Sequence, residues 1–296
     1  MSCPACKSND YKQLHNDPIV QDQNEQGILP VNYILCSCKV CNLVFKKNIP
    51  APDQLKRFYE SMTIEKWDYK VVYPHEVRLR KILDNVPAGS DVLDVGCFMG
   101  RLLATQAGRL NCYGVEPNQV AAAQAKLKGI NVIGTFATEN TLGERKFDVI
   151  ILVDVFEHLT DPMKEILLLH QHLKSNGRLL IVTGTTDCFP AKLCGPYFWY
   201  FRLAEHLIFL NKSFAKWMAN ELDSNFTYEK IRHFEFSWTK YESVKKMIYE
   251  FLWHLTWRWF SPNSPYVIIK MKRFARLKSP FLMTAWKDHA LLTLSK

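Results

Sequence analysis

The chain of 296 residues lacks any uninterrupted apolar run of about 18 residues, the length that would span a lipid bilayer. Its opening stretch, MSCPACKSND, also lacks the apolar segment of a secretory signal. We therefore expect a cytoplasmic protein that does not cross a membrane. Core-forming side chains are not scarce, since 48% of the residues are hydrophobic and 13% aromatic, and this excludes a disordered chain. Length and composition together predict one main domain with smaller attachments.

The chain has fewer acidic residues (29) than basic ones (38), which gives it a net charge of +9. Residues 237–287 hold ten of the basic residues and two acidic ones, so nearly all of the excess lies in this late insertion. Its stretch SVKKMIYEFLWHLTWRWF predicts a helix with an apolar face, and such faces usually pack on a core. The alternative is a helix on an anionic membrane surface, which would place the protein peripherally at the inner face of the membrane. Nucleic acid is disfavoured because no RNA-binding motif is present.

Four of the nine cysteines form two CxxC pairs near the start of the chain: Cys3 with Cys6, and Cys38 with Cys41. This spacing is typical of a zinc ribbon in a reducing compartment, where four thiolates bind one zinc ion tetrahedrally. We expect residues 1–50 to form this ribbon, with zinc replacing the core that so short a segment cannot build. Four thiolates leave no open position for substrate, so the zinc would be structural. Cys36 is a spare thiol that could replace one ligand.

Short apolar runs alternate with helical stretches over residues 89–186: DVLDV, LNCYGVE, GINVIGT, FDVIILVDV and GRLLIVTG. Apolar strands between amphipathic helices indicate a parallel sheet covered on both faces, as in a doubly wound, Rossmann-like α/β domain. Breaks in this pattern delimit the other segments: a helical connector (51–88), a lid or substrate region with a closing strand (187–236), the helical basic insertion (237–287) and a final strand (288–296).

The stretch VLDVGCFMGRLL predicts a buried strand that turns into a helix, with Gly96 and Gly100 in the turn. Such a turn lets a nucleotide approach the backbone closely at the carboxyl end of the strand. Glu116 ends the next strand, 22 residues after Asp94, where a carboxylate is expected to bind ribose hydroxyls. Phe98 stands where a dinucleotide-binding turn has its middle glycine, which argues against a cofactor with a pyrophosphate.

Four motifs resemble, in order and spacing, those of class I S-adenosylmethionine-dependent methyltransferases: LDVGCFMG, YGVEPN, FDVIILVDVFEHLTDP and LKSNGRLLIVTG. The resemblance implies S-adenosylmethionine as the cofactor, whose methionine carries no phosphate and tolerates a side chain at residue 98. It also implies the residues that line the cofactor: Asp94, Gly96, Cys97 and Gly100 around the methionine and ribose, Glu116 and Pro117 at the ribose diol, Thr135 and Phe136 at the adenine, and Asp154 beside the methyl-transfer site.

Methyl transfer from a sulfonium needs an aligned acceptor and a base that removes the acceptor's proton. Two Glu-His pairs qualify, because histidine titrates near neutrality and a neighbouring carboxylate stabilises the imidazolium. Glu157 with His158 could equally cap the helix that begins near LTDP. Glu205 with His206 ends an aromatic segment, CFPAKLCGPYFWYFRLAEH (residues 188–206), that predicts a lid over the cofactor.

The stretches EHL and FLNKSFAKWM resemble a subgroup in which a zinc ribbon precedes the methyltransferase domain and which acts on sugars of bacterial surface glycans and antibiotics. In its sugar C-methyltransferases the second Glu-His pair acts as base, which implies His206 and Glu205 as catalytic residues here, with His158 as a further candidate. The tyrosines that accompany the pair in those enzymes have no clear match here, since Leu203 stands two residues before Glu205, and their large C-terminal domain is not found in this sequence. O-methylation of a sugar hydroxyl is therefore at least as well supported as C-methylation. We therefore expect O- or C-methylation of a nucleotide-linked or lipid-linked sugar.

Two other functions stay open at this point. One is O-methylation of a phenolic or quinone-like lipid, which an aromatic lid and a membrane-seeking insertion would both serve. The other is a binding module that keeps the zinc and nucleotide fold and has lost catalysis.

Overall fold

A computed structural model describes residues 2–20, 28–30, 32–61, 72–233 and 287–296 of the chain. The strands in these residues are β1 (Tyr11–Gln13), β2 (Ile19–Val20), β3 (Asn32–Tyr33), β4 (Leu35–Cys38), β5 (Val44–Lys46), β6 (Asp91–Val95), β7 (Asn111–Val115), β8 (Asn131–Gly134), β9 (Phe147–Val153), β10 (Leu173–Gly184), β11 (Ile208–Phe209), β12 (Asn225–Ile231) and β13 (His289–Ser295). The α-helices are α1 (Pro52–Glu60), α2 (Pro74–Asp84), α3 (Gln119–Leu127), α4 (Glu139–Leu142), α5 (Pro162–Gln171), α6 (Phe189–Cys194), α7 (Trp199–Arg202) and α8 (Lys212–Glu221).

The central sheet has seven strands in the order β12-β13-β10-β9-β6-β7-β8. The five strands from β10 to β8 are parallel, and β13 joins them antiparallel, with β12 antiparallel on its outer side. The predicted α/β fold with a mostly parallel sheet is thus confirmed. The chain runs from β6 outward to β8 and returns to β9 on the other side of β6. Because the strand order reverses there, the carboxyl ends of β6 and β9 border a crevice that can hold a ligand.

The apolar strands are buried on both faces, as expected for a parallel sheet between helices. In β9, Ile150 and Leu152 pack in the layer that contains α5 and α8, whereas Val149 and Ile151 pack in the layer that contains α2 and α3. Successive side chains of a strand point to opposite faces, so one run of apolar residues supports both layers. Each such side chain contributes about 1.5–3 kcal/mol by its burial.

The N-terminal segment forms a four-stranded sheet in the order β1-β4-β5-β11. Its last strand, β11, comes from the chain just after the aromatic segment and pairs antiparallel with β5. The buried Lys46 strengthens this joint, since its Nζ donates to the carbonyl oxygen of Leu203 at 2.6 Å. The sequence predicts the ribbon and the lid as separate segments, but they share a sheet. A two-residue strand has too little pattern to be predicted, and the open edge of β5 favours its pairing.

The predicted insertion, residues 237–287, lies outside the described residues apart from Lys287, and so does the amphipathic helix predicted within it. The two strands that flank it, β12 and β13, pair antiparallel as the sequence indicates. Among the described residues, no helix reaches the length and apolarity needed to cross a bilayer.

Gly184 ends β10 at a point where the ring of Tyr200 lies against the backbone. A Cβ added at Gly184 would lie 2.3 Å from two carbons of that ring. We expect Gly184→Ala to lower the free energy of unfolding by about 1–3 kcal/mol, because the ring must leave its place. Urea unfolding measures this loss. The double variant Gly184→Ala/Tyr200→Leu should lose less than the two single variants added together, and additive losses would contradict the contact.

Candidate active site

The turn after β6 has the left-handed backbone that its glycines predict, with φ of 74° at Gly96 and 69° at Gly100. A Cβ at Gly96 would lie 2.6 Å from Cγ2 of Val155, so a larger residue would push the turn away from the end of β9. Phe98 also has a positive φ, 45°. Such a backbone costs a residue that carries a Cβ about 1–2 kcal/mol, so another contact must hold the turn here.

Glu116 supplies that contact from the end of β7. Its Oε2 accepts a hydrogen bond from the backbone N–H of Phe98 at 2.8 Å, and its Oε1 accepts one from the N–H of Asn118 at 2.7 Å. Burial raises the pKa of this carboxyl group, while the two hydrogen bonds act in the opposite direction. The structure therefore brings the glycine turn and Glu116 together and shows that Glu116 also stabilises the backbone at residue 98.

Asp94 and Cys97 flank this turn on the inner side. Asp94 is buried, and burial followed by the charge of Glu116 raises its pKa to about 8. Cys97 is buried too, and a Cβ at Gly114 would lie 2.5 Å from its Sγ. The thiol of Cys97 thus packs against β7, and only the backbone of this residue is available to a ligand in the turn.

The remaining residues expected around the cofactor lie along the same edge of the sheet. Pro117 follows β7, and Thr135 and Phe136 follow β8, where both are exposed. Because the carboxyl ends of parallel strands meet at one edge, the residues predicted to contact the methionine, ribose and adenine lie along one border of the crevice.

A buried histidine and a buried carboxyl group meet near the end of β9. Nε2 of His206 is 4.0 Å from Oε1 of Glu157, and Nδ1 of His206 is 3.1 Å from the carbonyl oxygen of Tyr200. This carbonyl oxygen can only accept, so Nδ1 donates and Nε2 keeps its lone pair. Burial is the main reason why the pKa of His206 lies well below its usual value. The ring is therefore neutral and able to accept a proton.

Both oxygens of Glu157 accept hydrogen bonds from hydroxyl groups. Tyr200 Oη donates to Oε1 at 2.5 Å, and Thr183 Oγ1 donates to Oε2 at 2.8 Å. The N–H of Gly184 donates in turn to Tyr200 Oη at 2.9 Å. Since Glu157 is only 1% exposed, these hydroxyls replace the water that a carboxylate would otherwise bind.

The two Glu-His dipeptides are paired crosswise. Glu157 lies next to His206, and Nδ1 of His158 is 3.0 Å from the carbonyl oxygen of Glu205. The expected pair of Glu205 with His206 does not form, since no hydrogen bond or ion pair joins the two side chains among the described residues. The reason is that the chain turns at this point, with the N–H of His206 bonded to the carbonyl oxygen of Leu203, and adjacent residues in a turn point in different directions. Nor does the first dipeptide cap α5, since that is done by the Asp161 side chain.

Asp154 follows β9 with a positive φ of 52°, and three histidines lie around it. Nε2 of His289 is 3.7 Å from Oδ1 of Asp154, while Nδ1 of His289 is 3.1 Å from Oδ1 of Asp288. His75 of α2 and His233, just after β12, complete the group. Burial raises the pKa of Asp154 to about 7. Sequence reasoning missed these histidines because they come from three distant elements and form no local motif.

The sequence model of a methyltransferase-domain family matches residues 73–229, more than half of the chain. The chain belongs to this family. With its glycine turn and parallel sheet, it is a class I S-adenosylmethionine-dependent methyltransferase.

The methyltransferase is similar over part of its length to curated proteins. It is 36% identical over 100 residues to a ubiquinone biosynthesis O-methyltransferase of Rickettsia canadensis. The matched residues make up 31% of this chain and 42% of that enzyme. A Pseudomonas aeruginosa enzyme of the same name is 31% identical over 104 residues, or 32% of this chain and 45% of that one. The chain thus spans less than half the length of the curated relatives it matches. Among solved structures, a possible histamine N-methyltransferase from Thermotoga maritima is 16% identical with a TM-score of 0.45, covering 75% of this chain and 87% of that one.

The cysteine cluster of the methyltransferase lies in its N-terminal segment. Sγ of Cys3 is 3.5 Å from Sγ of Cys41, and Sγ of Cys6 is 3.4 Å from Sγ of Cys38. All four sulfur atoms lie within 4.8 Å of one another. In a tetrahedral zinc site with bonds of about 2.3 Å the sulfur atoms are about 3.8 Å apart, so these four residues fit the predicted donor set. Cys36 is buried in β4 outside this group.

The hydrogen bonds of Glu157 predict a specific loss of stability. In Glu157→Gln, one of the two hydroxyl donors faces an amide N–H₂ instead of an acceptor, so the free energy of unfolding should fall by about 1–3 kcal/mol. Glu205→Gln is the matched control, because the Glu205 carboxyl makes no hydrogen bond within the described residues, and it should stay within about 0.5 kcal/mol of the wild type. Urea unfolding of both variants measures the difference. Equal stabilities would contradict a structural role of the two hydroxyl contacts.

Proposed function

We propose that this methyltransferase transfers the methyl group of S-adenosylmethionine to a hydroxyl oxygen of a small ring-shaped acceptor, with His206 as the general base. In this step the acceptor oxygen forms a bond to the methyl carbon, and the carbon–sulfur bond of the sulfonium breaks. The hydroxyl proton moves to Nε2 of His206. The products are the methyl ether and S-adenosylhomocysteine, so the charge lost at sulfur appears on the imidazolium.

The contact between His206 and Glu157 is the observation on which this proposal rests. The hydrogen bond of Nδ1 to the Tyr200 carbonyl orients the ring and leaves Nε2 as the proton acceptor. Glu157, at 4.0 Å, stabilises the imidazolium once it forms. The ring of His158 lies 5.0 Å from that of His206 and belongs to the same pocket as a further proton carrier.

The cofactor residues proposed for this reaction are those along the sheet edge. Each carboxylate oxygen of Glu116 accepts one hydrogen bond from a backbone N–H. Each oxygen has a further lone pair that can accept a hydrogen bond from a ribose hydroxyl. Asp94 brings a buried carboxyl group, and Asp154 a partly exposed one, close to the turn. The sulfonium and ammonium groups of S-adenosylmethionine are positive, so such an environment favours this cofactor. Thr135 and Phe136 would flank its adenine.

We propose two acceptor classes, each for its own reason. A phenolic or quinone-like acceptor is favoured by the similarity to ubiquinone biosynthesis O-methyltransferases. A sugar hydroxyl, nucleotide-linked or lipid-linked, is favoured by the joint between the N-terminal cysteine segment and β11, because the sugar-acting subgroup has such a segment before its methyltransferase domain. For a lipid-linked acceptor, residues 237–287 are the proposed membrane contact.

Turnover by a His206 variant tests the role of the base. We expect His206→Gln to lower kcat by about 10²–10⁴-fold, because proton removal loses its acceptor. Binding of S-adenosylhomocysteine, measured by calorimetry, should stay unchanged. His172→Gln is the control, because His172 bonds the Arg145 carbonyl oxygen before β9, at the opposite end of that strand from the site. The acceptors tested are sugars and phenols. Full turnover of any of them by His206→Gln would show that His206 is not the base.

The pH dependence of the wild-type enzyme provides a second check. The base must be neutral, so the rate is lost as the pH falls through the pKa of His206. That pKa is lowered from its usual value, so with cofactor and acceptor saturating, the protonation of His206 should reduce kcat only below about pH 6.5. A fall that begins above pH 7 would indicate a different base.

We further propose that Cys3, Cys6, Cys38 and Cys41 bind one structural zinc ion. The spacing of the four sulfur atoms, which lie within 4.8 Å of one another, supports this site, and a hydrogen bond with Cys41 lowers the pKa of Cys3 to about 5. Thiolates are the form that binds zinc. Removing a ligand should therefore unfold the N-terminal segment and loosen β11, which pairs with it.

Metal analysis of the purified protein checks this zinc site. We expect Cys3→Ser to lose one equivalent of zinc and to lower Tm, because metal binding is coupled to folding. Cys36→Ala is the matched control and should retain the metal. Loss of zinc in Cys36→Ala, with retention in Cys3→Ser, would show that Cys36 is a ligand instead.

A further inference from the structure

Three side chains from separate elements converge beside the glycine turn. They are His75 of α2, Asp154 at the end of β9 and His233 after β12. One ring nitrogen of each histidine and one carboxylate oxygen of Asp154 lie within 4.8 Å of one another. His75 lies in the first turn of α2, and Asp154 and His233 lie just after strands, so the packing of these elements on the sheet brings the three side chains together.

Two polar atoms of these residues have no hydrogen-bond partner among the residues that the structure describes. Nδ1 of His75 is buried without one, and so is Oδ1 of Asp154. His75 is only 2% exposed, so water does not replace the missing partner. A buried polar atom left unpaired costs about 1–3 kcal/mol, and native proteins rarely keep such an atom unless it binds something.

The charges around these donors also favour a cation. Asp154, Asp288 and Glu157 are three carboxyl groups within the same region of the interior. His289 lies between Asp154 and Asp288 and supplies one positive charge. The nearby Arg101 does not change the balance, because it is paired with Glu76. The interior therefore holds more negative than positive groups here.

We propose that His75, Asp154 and His233 bind a divalent first-row transition-metal ion. Two imidazoles and one carboxylate are a donor set that such ions prefer and that leaves other coordination positions open. With bonds of about 2.1 Å the donor atoms of such a site are about 3.0–3.4 Å apart, so shifts of about 1 Å bring the present atoms into place.

Ring stacking alone does not account for this cluster. His75 stacks on Tyr73 at 5.3 Å between ring centroids, and His233 stacks on His289 at 4.2 Å. Stacking places the rings face to face, but it gives no hydrogen bond to Nδ1 of His75 or to Oδ1 of Asp154, which has only an ion-pair contact of 3.7 Å with His289. A metal ion between the three donors would give both atoms a partner.

The position of the metal suggests its use, and this part rests on the proposed function. Asp154 borders the crevice and its side chain keeps 35% exposure, so a metal bound there would be accessible from the crevice. An acceptor hydroxyl bound to the metal would become more acidic and would be fixed in place for methyl transfer. His206 would then receive a proton that leaves more easily.

Cobalt binding tests the proposal without cofactor or acceptor. The metal-free full-length protein is titrated with Co²⁺, whose visible absorption reports the ligands. Cobalt at the cysteine cluster gives an intense thiolate charge-transfer band, whereas cobalt bound by histidine and aspartate gives only weak visible bands. We expect a second equivalent with the weak spectrum, which persists in the Cys3→Ser variant. A titration that shows only thiolate-bound cobalt, or none, would overturn the proposal.

Variants assign the second equivalent to its ligands. His75→Leu and Asp154→Asn should each weaken the non-thiolate cobalt affinity by about 100-fold and leave the thiolate band unchanged. Asp154→Asn keeps the shape of the side chain, so it tests the site even if His75→Leu does not fold. His170→Gln, on α5 with its ring bonded to Ser224, is the control and should bind as the wild type does. Wild-type affinity in both ligand variants would also overturn the proposal.

Full turnover by His206→Gln would contradict the proposed function and leave the cobalt result standing.

Discussion

The buried carboxyl group of Glu157 is the contact on which the catalytic edge of this methyltransferase depends. It joins the end of β10, through Thr183, to the aromatic segment, through Tyr200, and it lies against His206. Its own backbone carbonyl accepts from the N–H of Leu207, so side chain and main chain hold the same segment. A carboxylate with no access to water needs these donors, and the groups that satisfy it are therefore fixed in position.

The N-terminal segment takes part in the same construction. β11 begins two residues after His206 and completes the sheet of the cysteine segment. Lys46 of that sheet donates to the carbonyl oxygen of Leu203, on the other side of His206. The candidate base is thus held between a hydrogen bond from the N-terminal sheet on one side and a strand pairing on the other. The cysteine segment is consequently part of the support of the site and not a separate attachment.

Much of the cofactor edge could be predicted from local sequence. The apolar runs and Gly96 and Gly100 define a strand and its turn, and Glu116 is placed by the next strand, which must lie beside the first. Each of these inferences needs only neighbouring elements of one βαβ unit. The partner of His206 could not be inferred in this way. The sequence suggests Glu205 because it is adjacent to His206. The side chains of adjacent residues in a turn point in different directions, however, and Glu157 reaches the ring from another element.

By itself the sequence determined the parallel sheet, the glycine turn, the acidic residue that follows the second strand and the set of paired cysteines. These follow from periodicity and short spacing, which act within one or two elements. The tertiary structure alone decided which Glu meets which His, that β11 joins the N-terminal sheet, and that His75 and His233 approach Asp154. Such contacts depend on how whole elements pack. No local sequence pattern marks residues that are far apart in the chain but touch in the fold.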